Sequence, residues 1–457
     1  MSFTTSPTQQ RSNDTPPEPM IFRGSPETTL GVELELQILD PETGDLVPGA
    51  VRILDACEDE GIDGVSGEFL LSMFEVKTDV CPDVSAVRDS LMPLLGRVHR
   101  IARSLGYDLG VGATHPFSRP STSAIFPDER YRRIQKQQGW MAYQEAIFGL
   151  HVHVGVPDGD RAIGLINLLT PYLPHLLALS ANSPFWQGVD TDFASVRTRM
   201  FRPSAHAGIP QHVAGWQDFC AYCSVLHEGG VLSSTKDLYW DIRPQPLLGT
   251  IEFRIFDAPA SLPCLLGLTA LARCLVLEGL RLLEEHPEFG RGDPRTFWLA
   301  HENRWLASRY GLQAECVCHP GSERRSLAEH SASLLERLTP VAHECGEAEF
   351  LEVFRPVERY ETGATRRRRL YRRTGNWRAV LEDMRQGFFG ELTDEAISPS
   401  SDLAPTTPSL EEVFPVASPP WPPMEKAGML AVRQRGWPQR NEPAAEPDGS
   451  LRITTRL

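Results

Sequence analysis

The sequence predicts an α+β chain built on an antiparallel or mixed sheet, and three observations carry that prediction. Several short segments alternate apolar and ionisable residues with a period of two, the mark of strands with one dry and one polar face. Such half-polar strands suit an antiparallel or mixed sheet better than a parallel sheet buried on both faces. These segments alternate with longer stretches of helical periodicity. One of them, "LPCLLGLTALARCLVLEGLRLLEE" (262–285), is apolar almost all round and is expected to be a buried helix.

In chain order, residues 1–25 are rich in Ser, Thr and Pro and read as a disordered leader. A strand is expected at 29–39, where Leu30, Val32, Leu34, Leu36 and Ile38 alternate with Glu33, Glu35 and Gln37. "DPETGD" (40–45) is a turn by its Asp, Pro and Gly. Strands follow at 73–80, 107–113 and 147–156, with a helix at 85–104. "PDGD" (157–160) is a second turn, leading into a helix at 160–180. Strands are expected at 237–243 and 249–257, and helices at 262–285, 295–309, 326–345 and 376–388. From 393 the chain turns Pro-rich, so the expected organisation is a leader (1–25), a folded domain (26–392) and a mostly disordered tail (393–457).

Composition narrows the function. A chain of 457 residues can bury a substantial core. Its formal charge of −15 argues against nucleic acid and anionic membrane as partners. No apolar run approaches the length of a membrane-spanning helix, and the first residues hold no apolar signal core. Nine cysteines without a framework suit reduced thiols in a cytoplasmic protein. Cys220, Cys223, Cys316, Cys318 and His319 can be read together as a zinc site. Cys220 and Cys223, however, follow "GWQDF", where a helix would simply place i and i+3 on one face, and that is the preferred reading.

Four strands share one peculiarity. Glu33 and Glu35 share a face of the first; Glu75, Lys77 and Asp79 line "FEVKTDV"; His151 and His153 line "GLHVHVGV"; Glu252 and Arg254 line "TIEFRIF". One such strand is a wet face. Four in one sheet make a surface crowded with carboxylates, which would take up protons unless cations were present. Oxygen-rich ligand sets suit Mg²⁺ or Mn²⁺, and the carboxylate majority favours Mg²⁺; the His-x-His pair alone would also suit zinc. Magnesium on carboxylates points to phosphate chemistry. No GxxxxGK[ST] loop is present, and "GVGATH" (110–115) does not fit GxGxxG. Bound ATP would therefore need metal and arginines at its phosphates, with Arg197, Arg199, Arg243 and Arg254 as candidates.

A set of longer motifs extends this reading: "TLGVELELQILDPETGDLVP", "SMFEVKTDVC", "GATHPF", "DERYRRI", "FGLHVHVGVPDGDRAI", "HLLALSANSPFWQGVDTDFASVRTRMF", "KDLYWDIRPQPLLGTIEFRIFDAPASL" and "RWLASRYGL", in that order. From about residue 28 to about 390 the chain resembles the glutamate–cysteine ligase type 2 family, in its bacterial carboxylate–amine ligase branch. The resemblance implies a glutamine-synthetase-like fold: a curved antiparallel sheet forming a half-open barrel, with helices packed on its outer face and metal and nucleotide on the concave face. It implies a metal set of Glu33, Glu35, Glu68, Glu75, His151 and Glu252. Glu68 stands where related ligases often carry aspartate. With the candidates above, the expected catalytic residues are Arg254, Glu75 and Arg197, and the expected nucleotide contacts are Arg254, Arg197, Arg243 and Lys77.

The implied activity is ATP-dependent ligation through an acyl phosphate, with ATP and Mg²⁺ (or Mn²⁺), L-glutamate as acid and L-cysteine as amine. The carboxylate–amine branch is known for weak activity of this kind, so the natural pair can differ. A homodimer is compatible with the sequence. Two alternatives remain at this level: a zinc-dependent hydrolase using His151 and His153 with His115 or His175 as a third ligand, or a non-catalytic binding protein on the same fold.

Overall fold

The computed structural model of the chain describes residues 20–119, 124–200 and 206–390. The tail expected from 393 and residues 1–19 of the leader lie outside the described residues. The remainder of the leader is a correction. Met20 and Phe22 pack against the main core, and the Phe22 ring meets Trp216 edge-on at 5.4 Å. Arg23 N donates to Pro246 O and Ser25 N to Val156 O, each at 2.8 Å. Gly249, at φ +68°, lets this segment pass: a Cβ there would lie 1.9 Å from Arg23 O. A lone aromatic among polar residues has no period to read, so only packing places it.

Seven strands form the main sheet: β1 (Leu30–Leu39), β2 (Val65–Gly67), β3 (Met73–Lys77), β4 (Asp108–Gly110), β5 (Leu150–Gly155), β6 (Ile242–Gln245) and β7 (Thr250–Phe253). Their order is β6-β7-β5-β1-β3-β2, with β4 also pairing β1, and every pairing is antiparallel. Long β1 pairs β5 through residues 30–34 and β4 through 37–39.

Among the described residues the eleven longer helices are α1 (Ala50–Asp59), α2 (Val84–Ser104), α3 (Glu129–Gln138), α4 (Gly159–Leu169), α5 (Leu173–Ser180), α6 (Trp216–Glu228), α7 (Leu262–Glu285), α8 (Pro294–Tyr310), α9 (Leu327–Glu344), α10 (Gly363–Thr374) and α11 (Trp377–Phe389). Helices α2, α4 and α7 pack onto strands of the sheet. The apolar positions of β1, from Leu30 to Ile38, are at most 1% exposed beneath them. Ser261 caps α7 by accepting from Cys264 N, Pro263 fits its first turn, and most of its residues are buried. Each fully buried leucine there contributes about 2 kcal/mol.

Several expectations change in contact with the structure. The single helix expected over 160–180 is α4 and α5 joined by a 3-10 turn at Thr170–Tyr172, because Pro171 and Pro174 remove two helical donors. The strand expected at 237–243 is two pieces: Tyr239–Trp240 pairs in parallel with Ala207–Gly208, and β6 joins the main sheet. Helices α1, α3 and α10 were not expected. Helix α3 buries one residue, Ile134, and α10 buries Gly363, Ala364 and Arg367, so neither shows an apolar stripe. Their caps are legible: Asp128 accepts from Arg130 N and Tyr131 N, and Thr362 accepts from Thr365 N. Two helical stretches, Gly159–Ser180 and Leu262–Glu285, are in fact long and apolar enough to cross a membrane; 89% and 78% of their apolar windows are buried inside the protein.

Candidate active site

Antiparallel pairing turns the alternation on each strand into a two-dimensional array, because directly opposed residues point to the same face. One row reads Lys77–Glu33–His151 across β3, β1 and β5. A second reads Ser66–Glu75–Glu35 across β2, β3 and β1. A third reads His153–Glu252–Arg243 across β5, β7 and β6. This polar face floors a cavity of ≈590 Å³. Ten of the residues that the sequence offers for the site line it: Glu33, Glu35, Glu68, Glu75, Lys77, His151, Arg197, Arg243, Glu252 and Arg254. His153 lines it too, whereas Arg199 is not among the lining residues.

The cavity has two electrostatic halves. On the β6–β7 side, Glu252 is 1% exposed and its two oxygens are fully engaged. Arg243 grips them through Nε (2.6 Å) and Nη2 (3.2 Å), Arg254 Nη1 donates at 2.6 Å and Gln245 Nε2 at 2.5 Å. Burial alone would raise this carboxyl, but Arg243 and Arg254 hold it well below the usual carboxylate range. Arg243 spends Nη1 on the carbonyls of Lys236 and Leu238, both at 2.9 Å, so its guanidinium is largely committed to protein. Arg254 keeps a buried Nε without a partner. Arg197, also buried with Nε unpartnered, touches Arg254 O at 3.4 Å through both terminal nitrogens. It fits under β5 because residue 149 is glycine: a Cβ there would stand 2.3 Å from Arg197 Nη2.

On the β1–β3 side carboxylates outnumber cations. Lys77 Nζ lies 2.7 Å from Glu75 and 3.8 Å from Glu33. Glu35 accepts from Gly149 N at 2.6 Å, and Ser66 Oγ donates to Glu75 at 2.8 Å. Glu68 accepts from Tyr131 OH at 3.1 Å. Burial first, then repulsion from Glu75 and Glu35, pushes the Glu68 carboxyl up to about 8. Glu75 is raised by burial and by Glu33. Glu33 differs: burial opposes ionisation, but a hydrogen bond from His151 and the fields of His153 and His151 hold it at about 2.

A divalent cation fits this donor set. Atoms of Glu33, His151 and Glu252 lie within 4.8 Å of one another. His151 Nδ1 is 3.1 Å from Glu33, and its Nε2 is 3.6 Å from Glu35 and makes no hydrogen bond. A buried orphan nitrogen among surplus carboxylates is what a cation would satisfy. Glu33, Glu35, Glu68, Glu75 and His151 face that surplus, whereas Glu252 reaches it with oxygens already taken by arginines.

Some residues were missed. Tyr131 and Arg130 stand within the quoted motif "DERYRRI" on α3, yet no strand alternation marked them. Glu145 also lines the cavity, and burial pushes its carboxyl up to about 7; nothing in its sequence neighbourhood signals this. The third zinc ligands considered for a hydrolase sit elsewhere. His115 accepts at Nδ1 from Ser118 N, which leaves Nε2 to donate to Gly44 O at 2.8 Å, and His175 Nε2 faces Cys318 Sγ at 3.7 Å.

The sequence profile of glutamate–cysteine ligase family 2 matches residues 29–391. The chain belongs to this family. A Gloeobacter violaceus protein provisionally named glutamate–cysteine ligase 2 is 38% identical over 371 residues, which cover 80% of this chain and 98% of that one. A Bordetella avium protein of the same provisional name is 34% identical and covers 89% of this chain and 99% of its own length. Among solved structures, the glutamate–cysteine ligase of Francisella tularensis in complex with AMP is similar in fold at a TM-score of 0.59 and 12% identity. That match covers 82% of this chain and 92% of the other. A bifunctional glutathione synthetase from Pasteurella multocida matches at 0.56 and 15% identity, over 79% of this chain and 52% of its own. The family 2 chain is thus a ligase enzyme with an antiparallel sheet backed by helices, and the cavity on the sheet's polar face is its candidate active site.

Proposed function

We propose that this chain joins L-glutamate to L-cysteine at the expense of ATP, forming γ-glutamylcysteine through an acyl phosphate, with Mg²⁺ bound on the β1–β3 side. The carrying observation is the divided cavity: surplus carboxylates around His151 face two buried arginines that have donors to spare. We also infer that the sheet curls as a half-open barrel around this face, and that nine free cysteines fit a cytosolic site of action.

When bound, Mg²⁺ would neutralise phosphate charge and orient the γ-phosphate. Glu33, Glu35, Glu68, Glu75 and His151 would hold it. Arg254 and Arg197 supply fixed positive charge where the substrate carboxylate approaches the γ-phosphorus, offsetting repulsion between two anions. Glu252 and Arg243 keep Arg254 aimed into the cavity. Lys77 adds charge beside Glu75. The acyl phosphate is then attacked by the amine, releasing phosphate and leaving an amide. The incoming ammonium must lose a proton, and Glu145, lifted to about 7, is poised to take it near neutral pH.

The reading is tested by ADP release and product analysis with ATP, Mg²⁺ and amino-acid pairs. Glutamate with cysteine should release one ADP per γ-glutamylcysteine, and omission of either amino acid or of Mg²⁺ should stop product formation. ADP release unchanged by any amino acid would exclude ligation. Product with another amine would keep the chemistry and move the substrate.

We infer that the outer segments are dispensable and that the folded part begins near residue 20. A chain of residues 20–390 should keep full-length ADP release, because residues 20–25 are docked on the core. Starting at 26 removes the Phe22–Trp216 contact and should lower Tm by about 1–3 degrees, in line with loss of one half-buried aromatic. Equal melting of the two truncated chains would show that the docked segment adds nothing.

A further inference from the structure

Away from the catalytic cavity, three elements bring a thiol and two imidazoles together. His175 lies on α5, Cys318 in the loop between the short paired strands Glu315–Cys316 and Arg325–Ser326, and His330 in the first turn of α9. Their ligand atoms lie within 4.8 Å of one another. None of the three lines the active-site cavity. We propose that His175, Cys318 and His330 form a second metal site, one that takes zinc.

The chemistry of the set carries this. One thiolate and two imidazoles suit zinc and exclude Mg²⁺, which prefers oxygen. A tetrahedral zinc, with Zn–S about 2.3 Å and Zn–N about 2.0–2.1 Å, separates a sulfur and a nitrogen ligand by about 3.5 Å. His175 Nε2 and Cys318 Sγ stand 3.7 Å apart. That distance serves a thiol–imidazole hydrogen bond when no ion is bound and is close to what a shared ion requires.

The imidazoles are placed to ligate. His175 is 2% exposed, its ring hydrogen-bonds the Tyr172 backbone, and its Nε2 faces the Cys318 thiol. His330 Nε2 is buried without a partner, while the Cys316 backbone hydrogen-bonds the same ring. A backbone carbonyl on one ring nitrogen is the usual support that aims the other at a metal.

The loop around Cys318 is pinned on both sides. Asn303 Nδ2 holds Val317 O at 2.9 Å, and Ser322 Oγ donates to His319 O at 2.8 Å. Ser326 caps α9 through a reciprocal bond with Glu329, which fixes the turn carrying His330. Arg337 stacks over Tyr172 nearby, but its charge is paired with Glu278. Three protein ligands leave a fourth position for water on the partly exposed His330 side. Binding would release one proton, from Cys318 Sγ.

The test is titration of the full-length protein with Co²⁺, read by thiolate-to-cobalt charge transfer in the near ultraviolet and tetrahedral bands in the visible. One equivalent should bind with both signals, and Zn²⁺ should displace it. Cys318→Ser should abolish the charge-transfer band. His175→Gln and His330→Gln should each weaken binding at least tenfold. Cys220→Ser with Cys223→Ser, and Glu33→Gln, should leave the band unchanged. Zn²⁺ in hundredfold excess over its Kd should raise the wild-type Tm by a few degrees and that of His330→Gln by much less. Should Cys318→Ser fail to fold, His330→Gln at the rim of the site decides. Absence of the band at saturating Co²⁺, its survival in Cys318→Ser, or an equal Zn²⁺ shift in His330→Gln would overturn the site.

Discussion

Replacing Glu33 with glutamine is expected to lower ATP-dependent ligation about a hundredfold while leaving Tm nearly unchanged, and raised Mg²⁺ is expected to recover part of the loss. The amide keeps the shape of the side chain and removes the charge. Glu33 faces His151 and Lys77, and the hydrogen bond from His151 with the fields of His153 and His151 holds its carboxyl ionised, at about 2. Loss of one preorganised charge of this kind is worth about 10²–10³ in rate. A weakened metal site fills again at higher Mg²⁺. The sequence suggests the same outcome for Glu252, since both residues occupy the polar side of a strand. The structure separates them. Glu252→Gln would leave Arg243 and Arg254 buried without the carboxylate that both of them grip, which costs about 3–5 kcal/mol. Its activity should fall with Tm and resist Mg²⁺. The measurement is ADP release against Mg²⁺ concentration, with a melting curve, for wild type, both single variants and the double. Full activity in Glu33→Gln would remove it from the site. A stable, Mg²⁺-rescued Glu252→Gln would make Glu252 a metal ligand rather than the anchor of two arginines. Losses that multiply in the double variant would mean that the two act independently.

Without divalent ions, the protein is expected to lose stability as pH rises from about 6.5 to 8, and Glu68→Gln is expected to flatten that slope. The Glu68 carboxyl is about 8 in the folded chain against an ordinary value of 4.5. Between those values the folded state binds more protons than the unfolded state, so stability falls as pH rises. Buried His115 and His175, both near 3, act with the opposite sign, but their window closes near the ordinary histidine value of 6.5. Comparing wild type with Glu68→Gln cancels the groups remote from Glu68, His115 and His175 among them, and leaves Glu68 with the carboxyls it repels, Glu75 and Glu35. Mg²⁺ should also flatten the slope and raise Tm, because a cation among Glu68, Glu75 and Glu35 favours their ionised forms. Melting curves at several pH values, with Mg²⁺ or with chelator, give the answer. Identical slopes in wild type and Glu68→Gln would show that the carboxyl is already ionised or solvated. A Tm indifferent to Mg²⁺ would remove the metal from this half of the cavity.

The sequence by itself determined the strands of the site and which way their side chains point. Alternation of Glu33 and Glu35 with leucines is a local property, and one face of β1 had to be dry. The same holds for His151 and His153 and for Glu252 and Arg254. It also determined α7, whose apolar surface has no other place to go. Tertiary structure alone decided how the strands stand beside each other. Register is what makes Glu33 a neighbour of both Lys77 and His151 and seats Glu252 between His153 and Arg243. From that came the division into a half with surplus carboxylates and a half saturated by arginines, since Arg243 and Arg254 reach Glu252 only once β6, β7 and the 235–238 turn are folded together. Residues brought in by helices without an apolar stripe, such as Tyr131, carry no periodic signal. Nor does a cluster such as His175, Cys318 and His330, drawn from positions 143 and 12 residues apart in the chain. Periodicity records which face is buried; proximity between distant segments is set by packing, and packing is written in the whole sequence at once.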